Sequence, residues 1–211
     1  METLPKDIYF TLAKDMEIRD LIDLCIADKR ANEKICKNED VWRYRLEKEF
    51  PDWKQFNLNK SLINTYVFLY QLKILKKKLN LKESIYQLYI LQELRFHGQL
   101  KELPREIGNL VNLQELYLSD NQLTEIPKEI GNLSKLQILS LTYNGFTQIP
   151  KEIGNLFNLR ILGLYKNKLK VIPKEIGNLS NLQELFLSDN KLTKIPKELG
   201  DLRNLQKLNL N

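Results

Sequence analysis

The chain has 211 residues, of which 43% are apolar and 28% charged, and it carries a net charge of +6 at pH 7. That is ordinary for a soluble globular protein and long enough for one or two domains with a real core. No apolar run approaches the length of a membrane span, and "METLPKDIYF" lacks the basic start and apolar stretch of a signal peptide. Cys25 and Cys36 stand eleven apart with no CxxC spacing and no histidine partner. This fits neither a zinc site nor a disulfide framework and predicts a reducing, intracellular, cytoplasmic setting.

Charge is unevenly spread. Residues 1–50 hold 10 basic and 12 acidic side chains, residues 51–90 hold 7 and 2, and residues 91–211 hold 16 and 13. Residues 1–53 have no long-range period. "LPKDIYFTLAKDM" places Pro5 in a first-turn position with Ile8 and Leu12 one helical turn apart. "EIRDLIDLCIAD" repeats the pattern through Ile18, Leu21, Leu24 and Cys25. "NEDVWRYRLEKEF" puts Val41, Trp42, Arg45 and Leu46 on a further helix. Three or four such helices predict a small bundle with Cys25 in its core.

This segment resembles the F-box through Leu4-Pro5, Ile8, Leu12, "DLIDLC" at Asp20–Cys25, Lys29-Arg30 and "DVWRYRLEKEF" at Asp40–Phe50. The resemblance implies that Leu4, Pro5, Ile8, Leu12, Leu21 and Leu24 meet a Skp-type adaptor of cullin ubiquitin ligases. Asp28 and Ala31 depart from the family's pattern. A helical capping domain with no adaptor is the alternative, since fold analogy alone does not establish function.

Residues 54–80 read as a linker and cap. "SLINTYVFLYQLKILKKKLNL" sets Leu62, Tyr66, Leu69, Leu72, Leu75 and Leu79 at three- and four-residue spacings, with Ser61 able to cap the start. One long helix is expected, packing on both modules. Its "KILKKKL" run, with Lys73, Lys76, Lys77 and Lys78, is either a nucleic-acid contact or a solvated helix face.

From residue 81 to 211 the chain repeats. Pro104, Pro127, Pro150, Pro173 and Pro196 are 23 apart without exception, as are Asn121, Asn144, Asn167 and Asn190. The word "IPKEIGNL" occurs three times unchanged. A fixed period of this kind means a solenoid of stacked units. Within a unit, Leu116 and Leu118 alternate like a short half-buried strand. The asparagine can supply donor and acceptor to the backbone of adjacent turns. The proline starts a return path, and the isoleucine and leucine of "EIGNLxxL" suit a 3₁₀ turn. Gly131 and its equivalents permit close backbone packing or a positive φ. The first unit, "SIYQLYILQELRF", is degenerate. It keeps Ile85, Leu88, Leu91, Leu94 and Phe96 but has Tyr86 in the glycine position and His97 or Gly98 in place of the ladder asparagine.

These units resemble leucine-rich repeats of the 23-residue, Ras-suppressor-like intracellular type. Together with the N-terminal segment they resemble F-box/repeat proteins of eukaryotes and large DNA viruses, whose setting would be the cytoplasm (the host's, if viral). The implied fold is α+α/β. It comprises an F-box-like bundle and linker helix, followed by a right-handed solenoid with a parallel, concave sheet of about six strands.

Residues flanking the inward leucines vary while the scaffold words do not. The columns are Glu115, Ile138, Ile161, Glu184, Lys207; then Tyr117, Ser140, Gly163, Phe186, Asn209; then Ser119, Thr142, Tyr165, Ser188; and Asp120, Tyr143, Lys166, Asp189. Strand alternation is expected to project all four from the concave face. Tyr117, Ile138, Tyr143, Ile161, Tyr165 and Phe186 then form a target-binding patch about 24 Å across, at roughly 4.8 Å per strand gap. One histidine and no GxSxG, P-loop or dinucleotide fingerprint argue against an enzyme. No metal, cofactor, small-molecule substrate or membrane is expected. The function predicted is protein–protein interaction, as the substrate-recruiting subunit of a ubiquitin ligase or as a ligase-independent scaffold. Because the sequence stops inside a sixth strand, end-to-end self-association is also expected.

Overall fold

The structure is a computed structural model that describes residues 13, 16, 17, 20, 21, 24 and 32–210. The chain forms two compact units, Met1–Gln71 and Leu72–Asn211.

In the first unit, a π-helical turn at Asn32–Cys36 precedes helix α1, Glu39–Glu49. The Asn38 side chain caps α1 by accepting from the Asp40 amide at 3.0 Å, and Glu39 and Asp40 set negative charge at the positive end of the helix dipole. Val41, Trp42, Arg45 and Leu46 face inward, as their spacing requires. The core they build is polar at its centre. Buried Arg45 donates to the carbonyls of Ala13 at 2.9 Å and Met16 at 2.8 Å, to the Glu49 carboxylate at 3.2 Å and to the Tyr66 hydroxyl at 3.1 Å. The Tyr66 hydroxyl donates to Glu49. Burial first, then the bond to Glu49, raises that phenol above its ordinary range. Cys36 is disulfide-bonded, which corrects the expectation drawn from its spacing to Cys25. Cys25 itself lies outside the described residues.

Helix α2, Leu62–Lys78, is the long helix expected, and the boundary between the two units falls inside it. Ser61 accepts from the Asn64 amide at its start, at 3.4 Å. At its other end Lys78 donates to both Glu106 oxygens at 2.9 Å. Burial raises the Glu106 carboxyl, but bonds from Lys78 and the backbone outweigh it and hold the group below its ordinary value.

The degenerate first repeat forms a true α-helix, α3 at Ile85–Ile90, where later repeats have a 3₁₀ turn. A capping box explains the change: Ser84 accepts from the Gln87 amide at 3.1 Å and the Gln87 side chain accepts from the Ser84 amide at 2.7 Å. Strands β1 (Glu93–Arg95), β2 (Glu115–Tyr117), β3 (Ile138–Ser140), β4 (Ile161–Gly163), β5 (Glu184–Phe186) and β6 (Lys207–Asn209) form one parallel sheet in sequence order. Leu94, Leu116, Leu139, Leu162, Leu185 and Leu208 are in register.

Each proline precedes a 3₁₀ turn, at Arg105–Asn109, Lys128–Asn132, Lys151–Asn155, Lys174–Asn178 and Lys197–Asp201. The turn glycines serve close approach: a Cβ on Gly154 would lie 2.4 Å from the Glu175 carbonyl oxygen of the next repeat. Within the repeats, positive φ falls elsewhere, on Gly98 at 118° and on Asp120, Tyr143, Lys166 and Asp189 at 51–56°. With Arg95 opposite Tyr117, Gly98 therefore stands in this turn column rather than in the asparagine ladder.

Candidate functional site

The asparagine column follows each strand and ties repeats together. Asn144 Nδ2 donates to the carbonyls of Leu118 at 2.8 Å, Leu141 at 3.1 Å and Thr142 at 3.2 Å, while its Oδ1 accepts from the Leu123 amide at 3.1 Å. Asn121, Asn167 and Asn190 repeat the arrangement. All four side chains are thus committed to backbone. A second ladder escaped the sequence reading. Asn112, Asn158, Asn181 and Asn204 each donate to a carbonyl of the preceding repeat, of Tyr89, Ser134, Phe157 and Ser180, at 2.7 Å. Its signal was present as asparagine recurring at the 23-residue period. Lys135 interrupts the column and instead donates to Asn112 at 2.7 Å.

With the backbone satisfied by these ladders, the outward strand residues are free to vary. Five of the six target-binding candidates (Tyr117, Ile138, Ile161, Tyr165 and Phe186) line one concavity of about 480 Å³, with Ser140, Thr142, Gly163 and Asn209. Its floor is apolar where Ile138 and Ile161 lie opposite each other in register, and Glu115 and Glu184 flank them in the same column. Gly163 keeps the floor low, since a Cβ there would approach Ser140 Oγ to 3.3 Å. Ser119, Ser140 and Thr142 bond to one another at 2.7–3.0 Å, so these hydroxyls are already paired.

Tyr143 does not line the concavity. It stands 45% exposed beside it, its ring meeting Tyr165 edge-on at 5.3 Å and 82°. Its column does not project by strand alternation, as the sequence suggested. The left-handed φ of the turn after each strand sets its direction. Every aromatic of the face carries a cation: Arg95 sits 3.8 Å from the Tyr117 ring centre, Lys166 4.8 Å from Tyr143 and 5.4 Å from Tyr165, and Lys207 4.7 Å from Phe186. Burial, then the hydroxyl's bond to Glu115 at 2.8 Å, raises the Tyr117 phenol above its ordinary value.

The other candidates fare differently. Leu4, Pro5, Ile8 and Leu12 lie outside the described residues; Leu21 is fully buried and Leu24 half-buried. Of the linker lysines, Lys76 is engaged with the carbonyls of Lys82 and Glu83 at 3.3 and 2.7 Å, and Lys78 with Glu106. Of these two, only Lys78 has its charge paired with a carboxylate. His97 is exposed. No helix among the described residues is long and apolar enough to cross a membrane.

A repeated strand–turn unit, a six-stranded parallel sheet and two asparagine ladders define a repeat solenoid. A family model described as leucine-rich repeat region matches residues 67–156 and 147–211, and the chain belongs to that family. No curated protein matches the chain. Among solved structures, a leucine-rich repeat protein of Leptospira interrogans is 44% identical over 60% of this chain and 38% of its own, with a TM-score of 0.48. The ectodomain of the plant membrane receptor kinase GASSHO1/SCHENGEN3 from Arabidopsis thaliana, solved with Casparian strip integrity factor 2, is 43% identical over 52% of this chain and 14% of its own, with a TM-score of 0.50. The PEPR1–AtPEP1 complex is 28% identical over 54% and 16%, also at 0.50. The chain thus spans well under half of each of these proteins.

Proposed function

We propose that this protein is a non-enzymatic binding module that holds a segment of a target protein on the concave face of its sheet. The observation that carries this reading is the apolar floor of Ile138 and Ile161 walled by Tyr117, Tyr165 and Phe186, on strands whose backbone needs are met elsewhere. Grouped half-exposed apolar and aromatic side chains mark protein-binding surfaces, and single anchors in them are worth about 2 kcal/mol or more. Two similar solved structures are complexes with named partners, GASSHO1/SCHENGEN3 with Casparian strip integrity factor 2 and PEPR1 with AtPEP1, and they support a protein or peptide partner of unspecified identity. Replacing Ile138→Ser with Ile161→Ser tests the reading. Retention of partners from cell extract should collapse while thermal melting stays near wild type. Equal retention by both proteins would move the binding surface elsewhere.

The finer reading makes the N-terminal unit an F-box-like docking module that brings the target to a Skp-type adaptor. It rests on the sequence resemblance at Leu4, Pro5, Ile8 and Leu12. The disulfide at Cys36 favours the ligase-independent scaffold instead, because ligase subunits work in a reducing compartment. Co-purification decides: Leu4→Ala with Pro5→Ala abolishes adaptor binding under the ligase reading, and a wild-type chain that retains no adaptor ends it.

A further inference from the structure

The turn column next to the concavity reads Asp120, Tyr143, Lys166, Asp189, all with φ near +50°. Aspartate tolerates this left-handed backbone, whereas tyrosine and lysine resist it. Two ill-suited residues therefore stand side by side at the centre of the column, with aspartates at both ends. Strained positions of this sort persist where the surroundings over-determine them, and they concentrate at ligand clamps.

What the strained pair does is visible in its contacts. Tyr143 and Tyr165 present two rings at 82° to each other, and the Lys166 ammonium lies over both. Its hydrogen bonds to the two phenols raise it above the ordinary lysine value. Bonding to Tyr143 first, then desolvation and Asp189, raises the Tyr165 phenol, while Lys166 opposes them. The other cations on the face differ in one respect. Arg95 is paired with Glu93 and lies 4.0 Å from Glu115, and Lys207 lies 3.8 Å from Glu184. Among the described residues, Lys166 has no carboxylate within ion-pair distance. The two tyrosines hold it, at an exposed site, so exchange for another cation breaks no ion pair.

We propose that Tyr143 and Tyr165 form a clamp for the basic side chain, arginine or lysine, of an extended target segment whose neighbouring large apolar side chain enters the Ile138–Ile161 concavity. Lys166 occupies the clamp as a stand-in when the target is absent. The partner chemistry follows from the site itself. The clamp already holds a cation, the column it belongs to ends in a carboxylate on either side, and Tyr165 is shared between clamp and concavity. Arginine suits such a site best, since its planar guanidinium stacks on aromatic faces. The inference rests on the concave-face reading but can fail separately from it.

The test uses two capped peptides, acetyl-Arg-Leu-Leu-amide and its neutral isostere with citrulline in place of arginine. Binding is followed by NMR through the isoleucine methyl and tyrosine ring signals of the full chain. The arginine peptide should shift Tyr143, Tyr165, Ile138 and Ile161 together. The citrulline peptide should shift only the isoleucines and bind about fivefold more weakly, the size expected of one exposed cation–π contact. Lys166→Asn removes the stand-in with a residue that accepts the left-handed turn, and it should tighten the arginine peptide while leaving the citrulline peptide unchanged. Tyr143→Ala should erase the difference between the peptides. Equal binding of the two peptides to wild type, or weaker arginine binding by Lys166→Asn, overturns the clamp. Isoleucine shifts without tyrosine shifts overturn the clamp and leave the concave-face reading standing. No shift of either set with either peptide overturns both.

Discussion

The two units of this protein bury polar groups in opposite ways. The repeat unit spreads the task along the chain: eight asparagines in two columns each satisfy backbone in their own repeat or the one before, so no single rung carries the whole task. The N-terminal unit concentrates it on Arg45, whose bonds reach carbonyls 29 and 32 residues away. A distributed solution should degrade gradually and a concentrated one abruptly. This contrast is also why the proposed contact surface lies in the repeat unit. There, polar satisfaction is distributed and periodic, and the outward strand positions are left free to vary.

The sharpest way to break the comparison is Arg45→Met. It leaves the Ala13 and Met16 carbonyls without the guanidinium donor and takes the paired charge from Glu49, which keeps the Tyr66 hydroxyl, and should cost about 3–5 kcal/mol in the N-terminal unit. Chemical denaturation should then show an early transition, with the repeat transition unmoved. A smaller loss is expected from Gly154→Ala, whose Cβ would meet the Glu175 carbonyl at 2.4 Å. Forcing the repeats apart should cost about 1–3 kcal/mol, read as a lower melting temperature of the repeat unit. Asn144→Ala should fall in a similar or lower range, about 1–3 kcal/mol, because the Leu123 amide and three carbonyls lose a partner but neighbouring rungs remain. An unchanged melt would mean that water replaces the rung.

The smallest effect tests the tie between α2 and the first 3₁₀ turn. Glu106 is held below its ordinary value of 4.5, so its contribution to stability is complete above that pH and is lost as pH falls through the lower folded value. Lys78 is half exposed, so the difference between wild type and Lys78→Met should be under about 1 kcal/mol near neutrality. It should vanish on acidification. A difference that grows toward acid would reverse the assignment.

How much of this was legible in the sequence follows the same division. The 23-residue period placed the inward leucines, the prolines, the 3₁₀ turns and the Asn121 column, because each repeat restates the same local physics. It also brought Ile138, Ile161, Tyr117, Tyr165 and Phe186 to one surface. It did not place Tyr143, since alternation along a strand ends at the left-handed turn and the words "SDN", "TYN" and "YKN" do not announce that φ. The Asn112 column recurs at the same period, but Lys135 interrupts it and nothing local to the word distinguishes it from a solvated loop position. Ser84 and Gln87 turned the first repeat into α3 by a capping box that the missing glycine and proline obscured. In the N-terminal unit, α1 was readable from its apolar spacing. The role of Arg45 was not, because its partners are remote in sequence and nothing repeats to reveal them. Nor was the bond at Cys36, which depends on a fold that spacing alone does not supply.

The central claim is that the target sits on the concave strand residues and that the scaffold words on the opposite face stay out of the contact. The direct measurement places a photo-crosslinking amino acid at Ile161 on β4 in one protein, and at Lys151 in the 3₁₀ turn that precedes β4 in another. The account predicts a crosslinked partner from the Ile161 position and none from Lys151, with both proteins melting as wild type. A partner captured from Lys151 but not from Ile161 would contradict it.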